Sequence, residues 1–222
     1  MRRLKGAGSG SRSSREERAA AEEVSRVGAE LTAKRRTAAG KLARAVTKEL
    51  KGLGFLKAEF TVCLDPAEPS VTGCDRVAFL FGPNPGESVR PLAAIASSGE
   101  AARVMLAVKT VLAAHDATDV LIFDEIDANI GGETGTAVGR RLRETAASHQ
   151  VIAITHLPQS AAFGEHHLVV GKRVDGGRTF TRVAAAEGEK RVAELTRMLG
   201  GEAGDAVVRA HAEELILKGQ KK

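Results

Sequence analysis

Two adjacent carboxylates follow a short apolar run in the middle of the chain. The segment VLIFDEIDANIGG spans residues 120–132, and its first four residues are the continuous apolar run typical of a buried parallel strand. Asp124 and Glu125 therefore fall at the carboxyl end of that strand, where open α/β sheets bind ligands. Two carboxylates in one place repel each other unless a cation or a proton relay is present. The pair predicts nucleotide hydrolysis, with Asp124 holding Mg²⁺ and Glu125 polarising the attacking water; the alternative is a strand-end turn with solvated acids.

A histidine follows the next apolar run along the chain. Residues 151–155 read VIAIT, which predicts a second buried strand, and His156 comes directly after it. Adjacent parallel strands end at the same edge of a sheet, so we expect His156 near Asp124 and Glu125. A neutral imidazole there would donate a hydrogen bond to a terminal phosphate or to the attacking water. The alternative is a structural histidine at a strand end.

A helix start with free backbone donors lies upstream of both strands. In the segment IASSGEAARVMLAVK, residues 95–109, Ser97 and Glu100 have the spacing of a capping box, which predicts a helix from about residue 97 to 114. Capping alone explains these two side chains. The same geometry leaves the N–H groups of Ser98 and Gly99 free to meet an anion such as a nucleotide phosphate.

Several other site patterns are missing from this sequence. It contains no G-x-x-x-x-G-K-[ST] loop, and the glycine-rich residues 131–135 lack the lysine of such a loop. No H-E-x-x-H, paired C-x-x-C or G-x-S-x-G pattern occurs, so zinc and nucleophile-elbow chemistry are unsupported. We expect Cys63 and Cys74 to be buried thiols without a role. No apolar run approaches the roughly 20 residues of a membrane span, and the N-terminus has no apolar signal region, so we expect a cytoplasmic, nucleoid-associated protein with no membrane partner.

Alternating strands and helices must position these residues. The order of elements after residue 90 predicts an α/β layer with helices packed on a sheet. An Asp/Pro/Gly-rich connection separates the first two predicted strands, and Asp-Gly-Gly at residues 175–177 predicts a hairpin turn. The predicted strands are residues 58–64, 76–81, 120–123, 151–155, 168–174 and 179–184, and the later helices are residues 134–147, 189–199 and 204–218.

The positive charge belongs to the first quarter of the chain. The 222 residues carry a net charge of +5, but residues 1–52 alone hold 14 basic and 6 acidic residues, a net of +8. Residues 1–14 are Gly/Ser/Arg-rich and predict a disordered segment, and residues 15–52 predict a long amphipathic helix that acts as a coiled-coil arm. A basic arm suggests contact with a polyanion, and the alternative is a solvated helix face. Aromatics make up 3%, which argues against stacking platforms for single-stranded nucleic acid.

Four segments in this order resemble one family of ATPases. They are FLFGPNPGESVRPLAAIASSGEAARVMLAVK, LIFDEIDANIGGETGTAVGRRL, HQVIAITHLPQSAAFGEHHLVV and RVAELTRMLGG. Together they resemble the C-terminal half of an ABC-type ATPase head of the SMC class, and within that class the RecN family of bacterial DNA repair proteins. The resemblance runs from about residue 42 to about residue 217. It implies that residues 53–222 form the C-terminal lobe of an α/β head, a parallel-strand core with flanking helices and hairpins, after the coiled-coil arm.

The resemblance also implies roles for the residues singled out above. Asp124 matches the Walker B aspartate that holds Mg²⁺, Glu125 the catalytic glutamate, and His156 the switch histidine. The signature segment matches Ser97, Ser98, Gly99 and Glu100, and the D-loop matches Asp127, Ala128 and Asn129. The implied function is ATP-dependent action at DNA double-strand breaks, with Mg²⁺ and ATP as cofactors. The implied partners are double-stranded DNA and a second head, because each signature meets the nucleotide of the opposite head.

Two departures from the family pattern bear on activity. The family signature reads Ser-Gly-Gly-Glu, whereas Ser98 stands at its first glycine, where a positive φ would strain a serine. The Walker A half of the head is missing from this sequence, so we expect ATP hydrolysis only with an N-terminal head half that supplies it. Two alternatives stay open, a non-enzymatic DNA-binding or bridging module built on the basic arm, and a head fragment of another SMC-class ATPase.

Overall fold

A 44-residue helix, α1 (Ser9–Gly52), begins the described part of the chain. The computed structural model describes residues 9–202 and 204–220, with side chains from residue 14 onward. Residues 1–8 of the segment predicted to be disordered lie outside the described residues, and α1 begins six residues before its predicted start. The elements that follow are β1 (Glu59–Ser70), β2 (Gly73–Gly82), β3 (Arg90–Pro91), α2 (Ser98–Leu112), β4 (Val120–Phe123), α3 (Gly132–Thr145), β5 (Gln150–Ala153), α4 (Pro158–Ala161), β6 (Leu168–Asp175), β7 (Arg178–Ala185), α5 (Glu189–Met198) and α6 (Ala206–Gln220).

The two ends of α1 have different surroundings. Near its C-terminal end, Val46 and Leu50 are completely buried in the main core, whereas Val24 and Val27 in its first half are about half exposed. Between these regions the helix is held by Asp75 of β2, which accepts hydrogen bonds from the Thr32 hydroxyl at 2.8 and 2.9 Å. The last turns of α1 therefore belong to the main core, and its middle turns pack against the β1–β2 hairpin, where Gly28 lies close to Cys74.

The first hairpin is longer than the sequence predicts. β1 pairs with β2 in antiparallel fashion and continues to Ser70, through the segment that we predicted as a loop. Pro66 and Pro69 are tolerated because β1 is an edge strand, where a residue without an N–H need not join the ladder. The register is irregular between Pro66 and Ser70. The strand β3 and the short helix α4 were not predicted, since neither is long enough to show a hydrophobic period.

A parallel pair of strands, β4 and β5, packs one face against the main core. Their register matches Val120 with Gln150 and Phe123 with Ala153. Leu121 and Phe123 are buried in a core that also contains residues of α1, α2 and α3. We expected these strands to be buried on both faces, and in the described chain only one face is covered. The other face exposes apolar side chains, namely Val120, Ile122, Ile152 and Ile154.

The C-terminal part contains a ribbon and a second, smaller core. β6 and β7 form the predicted hairpin, whose turn residues Gly176 and Gly177 have φ values of 57° and 75°. Both values lie in the left-handed region that glycine adopts without strain. Helices α5 and α6 pack around Leu195, Ala212 and Leu215. None of the described helices is long and apolar enough to cross a lipid bilayer.

Candidate functional site

The ends of β4 and β5 bring two conspicuous segments to one edge of the sheet. The N–H of Ile154 donates to the carbonyl of Phe123 at 2.9 Å, so the strands stay paired for one residue beyond β5. Asp124 follows Phe123 directly, and His156 lies two residues after Ile154. The parallel pairing therefore places the acidic turn beside the histidine loop, as expected from the sequence. We call residues 124–129 the acidic turn and residues 154–157 the histidine loop.

A buried carboxylate joins these two segments. Asp127 is completely buried, and its Oδ2 accepts hydrogen bonds from the backbone N–H groups of His156 at 3.1 Å and Leu157 at 3.0 Å, and from the Thr155 hydroxyl. Its Oδ1 lies 3.2 Å from Nδ1 of His156, off the line of a good hydrogen bond, and the imidazole is otherwise 69% exposed. Asp127 thus points into the protein and positions the histidine loop, rather than facing outward to a ligand.

The acidic turn has an unusual backbone. Glu125 has a φ of 53° and Asn129 a φ of 60°. Asparagine tolerates this left-handed region, whereas a glutamate there carries a strain on the order of 1–3 kcal/mol. The N–H of Ala128 closes the turn by donating to the carbonyl of Glu125 at 2.9 Å. Backbone strain of this kind persists where the surrounding contacts hold a side chain in place. At Glu125 the strained backbone projects the carboxylate outward.

The signature segment lies against the acidic turn. Ser97 caps α2 by accepting a hydrogen bond from the N–H of Glu100 at 3.4 Å, as the capping-box spacing predicts. The Ser98 hydroxyl donates to Oε2 of Glu125 at 2.6 Å. Among the described residues other than glycine, positive φ values occur only at Glu125 and Asn129, so the strain considered for Ser98 does not arise. Ser98 instead holds the carboxylate of Glu125.

Helix α2 packs closely against the acidic turn at Gly99. A Cβ at this position would lie 2.9 Å from Cβ of Ala128 and 3.0 Å from the carbonyl oxygen of Glu125. A Cβ contact below 3.0 Å is almost never seen, and neither the Cβ of Ala128 nor a backbone oxygen can rotate away. Only a glycine fits at this position, because its missing side chain lets helix α2 pack this close to the acidic turn.

Arg103 is a site residue that the sequence reasoning missed. Its Nη1 donates to the carbonyls of Ile126 at 3.1 Å and Ala128 at 3.0 Å, and its guanidinium lies 5.1 Å from the ring centroid of Phe55. Burial lowers the pKa of Arg103, and the charges of Glu100 and Asp127 oppose this shift. The sequence does contain one indication that Arg103 belongs to the site. Arg103 lies one helical turn after Gly99, on the helix face that also carries Leu106 and Ala107.

The outer surface of this edge offers oxygen donors. Asp124 and Glu125 are both exposed, and hard carboxylate oxygens suit Mg²⁺. No group of three or more His, Cys, Asp or Glu residues in the described chain is arranged to hold a metal ion by itself. Any Mg²⁺ here would therefore need oxygens from water or phosphate, which is how Mg²⁺ is usually bound at nucleotide sites.

The amino-acid sequence of this chain has relatives among known proteins. No protein-family model matches it. It is 43% identical over 199 residues to the DNA repair protein RecN of Streptomyces coelicolor, covering 84% of this chain and 35% of that protein. It is 41% identical over 195 residues to RecN of Deinococcus radiodurans, covering 87% of this chain and 34% of that protein. The chain belongs to the RecN family. It spans about a third of the length of these relatives.

A solved structure shows the same architecture as this RecN-family chain. The Smc head domain with a coiled coil and joint from Pyrococcus yayanosii superposes with a TM-score of 0.57 at 22% identity. The match covers 83% of this chain and 34% of that chain. The predicted fold class is confirmed, an α/β head lobe with a parallel pair of strands and flanking helices that follows a long helical arm.

Proposed function

We propose that this chain is part of a RecN-type, ATP-dependent DNA repair protein that acts at double-strand breaks, and that it contributes one side of a nucleotide-hydrolysis site. The observation that carries the proposal is the meeting of three motifs at one sheet edge. Ser98 at the start of α2, Glu125 in the strained turn and the Asp127-held histidine loop converge there. A turn with merely solvated acids gives no reason for a buried carboxylate and a strained glutamate.

The roles follow from exposure and contacts. Asp124 would hold Mg²⁺ together with phosphate oxygens and water, and bound Mg²⁺ would neutralise charge on the phosphates of ATP. Glu125 would orient the attacking water, and His156 would donate to a terminal phosphate or to that water. Asn129 in the outward part of the turn would contact a second head. Asp127 would act through His156, because its own oxygens are turned inward.

The signature segment is proposed to meet a nucleotide held by a second head. The N–H groups of the first turn of α2 lack intrahelical partners, and an anion at a helix N-terminus satisfies such donors. Ser97 keeps this end of the helix intact, and the exposed hydroxyl of Ser98 is one further donor once it leaves Glu125. Closure over ATP would therefore exchange the Ser98–Glu125 hydrogen bond for a contact to phosphate.

An N-terminal head half with a Walker A loop is the proposed first partner. The exposed face of β4 and β5 carries Ile122, Ile152 and Ile154, which are 67%, 45% and 56% exposed. Fully burying one such side chain contributes about 1.5–3 kcal/mol, so this face favours a covering layer. A head half that brings further strands and the phosphate loop would supply both the missing layer and the missing lysine.

Reconstitution tests the hydrolysis proposal. We would co-express this chain with an N-terminal RecN head half that contains a Walker A loop, and measure ATP turnover with and without linear duplex DNA. Glu125→Gln should lower turnover by about 10²–10⁴-fold, because a carboxylate that handles a proton contributes on that order. Glu68→Gln, an exposed glutamate on β1, is the matched control and should leave turnover unchanged. An inert pair, or equal rates for the Glu125 variant and the unmodified chain, would reject the proposal.

A DNA-binding arm is the second candidate function, and a line of cations on α1 favours it. Lys34, Lys41 and Lys48 repeat every seven residues, and Arg44 and Lys51 lie beside them. All five are exposed, and none forms an ion pair within the described residues. At 1.5 Å per residue the line extends over roughly 25 Å, which suits a duplex backbone.

Charge substitutions test the arm. Removing residues 1–52 would also remove the buried Val46 and Leu50, so single side-chain changes are the cleaner experiment. Changing Lys34, Lys41 and Lys48 to Gln should weaken duplex binding and reduce the slope of log affinity against log salt by up to about 0.9 for each lost phosphate contact. The same change at Lys172, Lys190 and Lys218 is the matched control. Equal effects of the two triple variants would reject the arm as the DNA contact.

A further inference from the structure

The β6–β7 ribbon has two unlike faces. Directly opposed residues of an antiparallel pair share one face, so the register assigns every side chain. One face is apolar apart from Lys172 and two threonines, and exposes Leu168, Val170, Val174 and Val183. The other face carries Arg173, Arg178, Phe180 and Arg182, together with Asp175.

Three arginines surround an exposed aromatic ring on that second face. Phe180 is 55% exposed and lies directly opposite Arg173, while Arg178 and Arg182 lie two residues to either side of it on the same strand. Asp175 lies 3.7 Å from Arg173. Arg178 and Arg182 have no ion-pair partner among the residues that the structure describes. The face is therefore cationic, with one flat apolar ring at its centre.

The exposed apolar side chains indicate which face of the ribbon would be covered by protein and which face would stay in solvent. Val170 and Val174 are 66% and 70% exposed, and a layer of protein over them would gain hydrophobic stabilisation. Covering the arginine face instead would remove three guanidinium groups from water, of which only Arg173 has an acidic neighbour, and this is unfavourable. A head completed on the apolar side therefore leaves the arginine face open to a ligand.

We propose that the arginine face of the β6–β7 ribbon binds single-stranded DNA, with an unpaired base stacked on Phe180 and the backbone phosphates paired with Arg173, Arg178 and Arg182. Guanidinium groups match phosphate geometry, and an exposed ring supplies the stacking surface that unpaired bases use. The low aromatic content argues against an extended stacking platform, whereas this face needs only one ring for one base. A duplex keeps its bases stacked inside, so it would satisfy the arginines and leave Phe180 without a partner. The site is separate from the nucleotide edge and does not depend on ATP hydrolysis.

A tryptophan probe tests the stacking directly. The chain contains no Trp and no Tyr, so Phe180→Trp introduces one indole whose fluorescence reports this position alone. Titration with a thirty-nucleotide oligo(dT) should quench this fluorescence, and a thirty-base-pair duplex should not quench it under salt conditions in which both bind. Equal quenching by both, or no quenching by oligo(dT), would overturn the proposal.

Affinity measurements on the full chain provide the second test. By fluorescence anisotropy with labelled oligo(dT), Phe180→Leu should weaken binding by about 5- to 150-fold, because stacking of one base contributes on that order, and Phe180→Tyr should retain affinity. Arg182→Gln should weaken binding more than Lys172→Gln, a matched loss of one charge on the opposite face. Matching melting temperatures identify variants that fold normally. Full affinity in the Leu variant, or equal loss in the two charge variants, would overturn the proposal.

Discussion

The edge formed by β4 and β5 and the ribbon formed by β6 and β7 use polar residues in opposite ways. At the edge, Asp127 is buried and Ser98 is joined to Glu125 across 27 residues of sequence. On the ribbon every residue except the half-buried Val169 is exposed, and Arg173 has an acidic neighbour only two residues away. The first region is held in place by long-range contacts, and the second is a local hairpin that presents its side chains to solvent. A substitution of a buried residue at the edge should therefore act mainly on stability, and a substitution on the ribbon mainly on binding.

Among the substitutions that test this contrast, one at Asp127 should have the largest effect. Asp127→Ala would leave the N–H groups of His156 and Leu157 without their buried acceptor, and each such loss costs about 1–3 kcal/mol. We expect the free energy of unfolding to fall by about 3 kcal/mol or more, measured by urea denaturation. Asp175→Ala on the ribbon is the control and should stay within about 0.5 kcal/mol. Similar losses for the two variants would contradict the distinction between the regions.

The next effect concerns Gly99. Gly99→Ala would place a methyl group 3.0 Å from the carbonyl oxygen of Glu125, and overpacking of this kind costs about 1–3 kcal/mol. Gly40→Ala in α1 is a matched control, because its Cβ would meet nothing closer than Nη1 of Arg44 at 3.7 Å. The control should stabilise the protein by about 0.5–1 kcal/mol through helix propensity. Thermal melts of the two variants that shift in the same direction would contradict the close packing of α2 on the acidic turn.

The smallest effect depends on pH. Lys109, in the last turn of α2, lies 2.6 Å from Asp116, and this contact together with the Thr118 hydrogen bonds lowers the pKa of Asp116 to about 2. Because the folded-state pKa lies below the usual value of about 3.9, the stabilisation is present above about pH 4 and is lost as pH falls through about 2. Asp116→Asn should lower the melting temperature at pH 7, and the difference from the unmodified chain should shrink as pH falls towards 2 and vanish below it.

The ribbon again supplies the control for this ion pair. Arg173 and Asp175 are 81% and 68% exposed and lie 3.7 Å apart, so Asp175→Asn should leave the melting temperature unchanged at both pH values. A difference for Asp116→Asn that persists below pH 2 would show that the carboxylate charge is not the cause. Equal shifts for the two variants would contradict the special position of the Lys109–Asp116 pair.

Much of the fold could be predicted from local sequence patterns. The strand at residues 120–123 was predicted with the bounds found for β4, and the Asp-Gly-Gly turn correctly located the β6–β7 hairpin. The patterns failed where tertiary context overrode them. Prolines at 66 and 69 suggested a loop, although an edge strand tolerates them. The apolar run of β4 suggested burial on both faces, although Ile122 is exposed in this chain.

The sequence predicted most of the residues that form the candidate site, but it did not predict how their side chains are arranged. The pairing of two parallel strands was enough to bring the acidic turn and the histidine loop to one edge. Nothing in the spacing indicated that Asp127 would turn inward or that Ser98 would bond to Glu125. The side chain of Arg103 was overlooked because a charged residue on a helix normally points to solvent.

The sequence by itself determined most of the longer helices and strands, the helix cap at Ser97, the uneven charge and the residues at each strand end, because these depend on neighbours a few positions apart. Only the tertiary structure decided which carboxylate is buried, why Gly99 must lack a side chain, and which face of the ribbon is cationic. Those outcomes depend on contacts between residues about 23–30 positions apart at the sheet edge, and on strand register in the ribbon. Such contacts form only when helix α2, the acidic turn and the histidine loop pack together, and their energies are not encoded by any one segment.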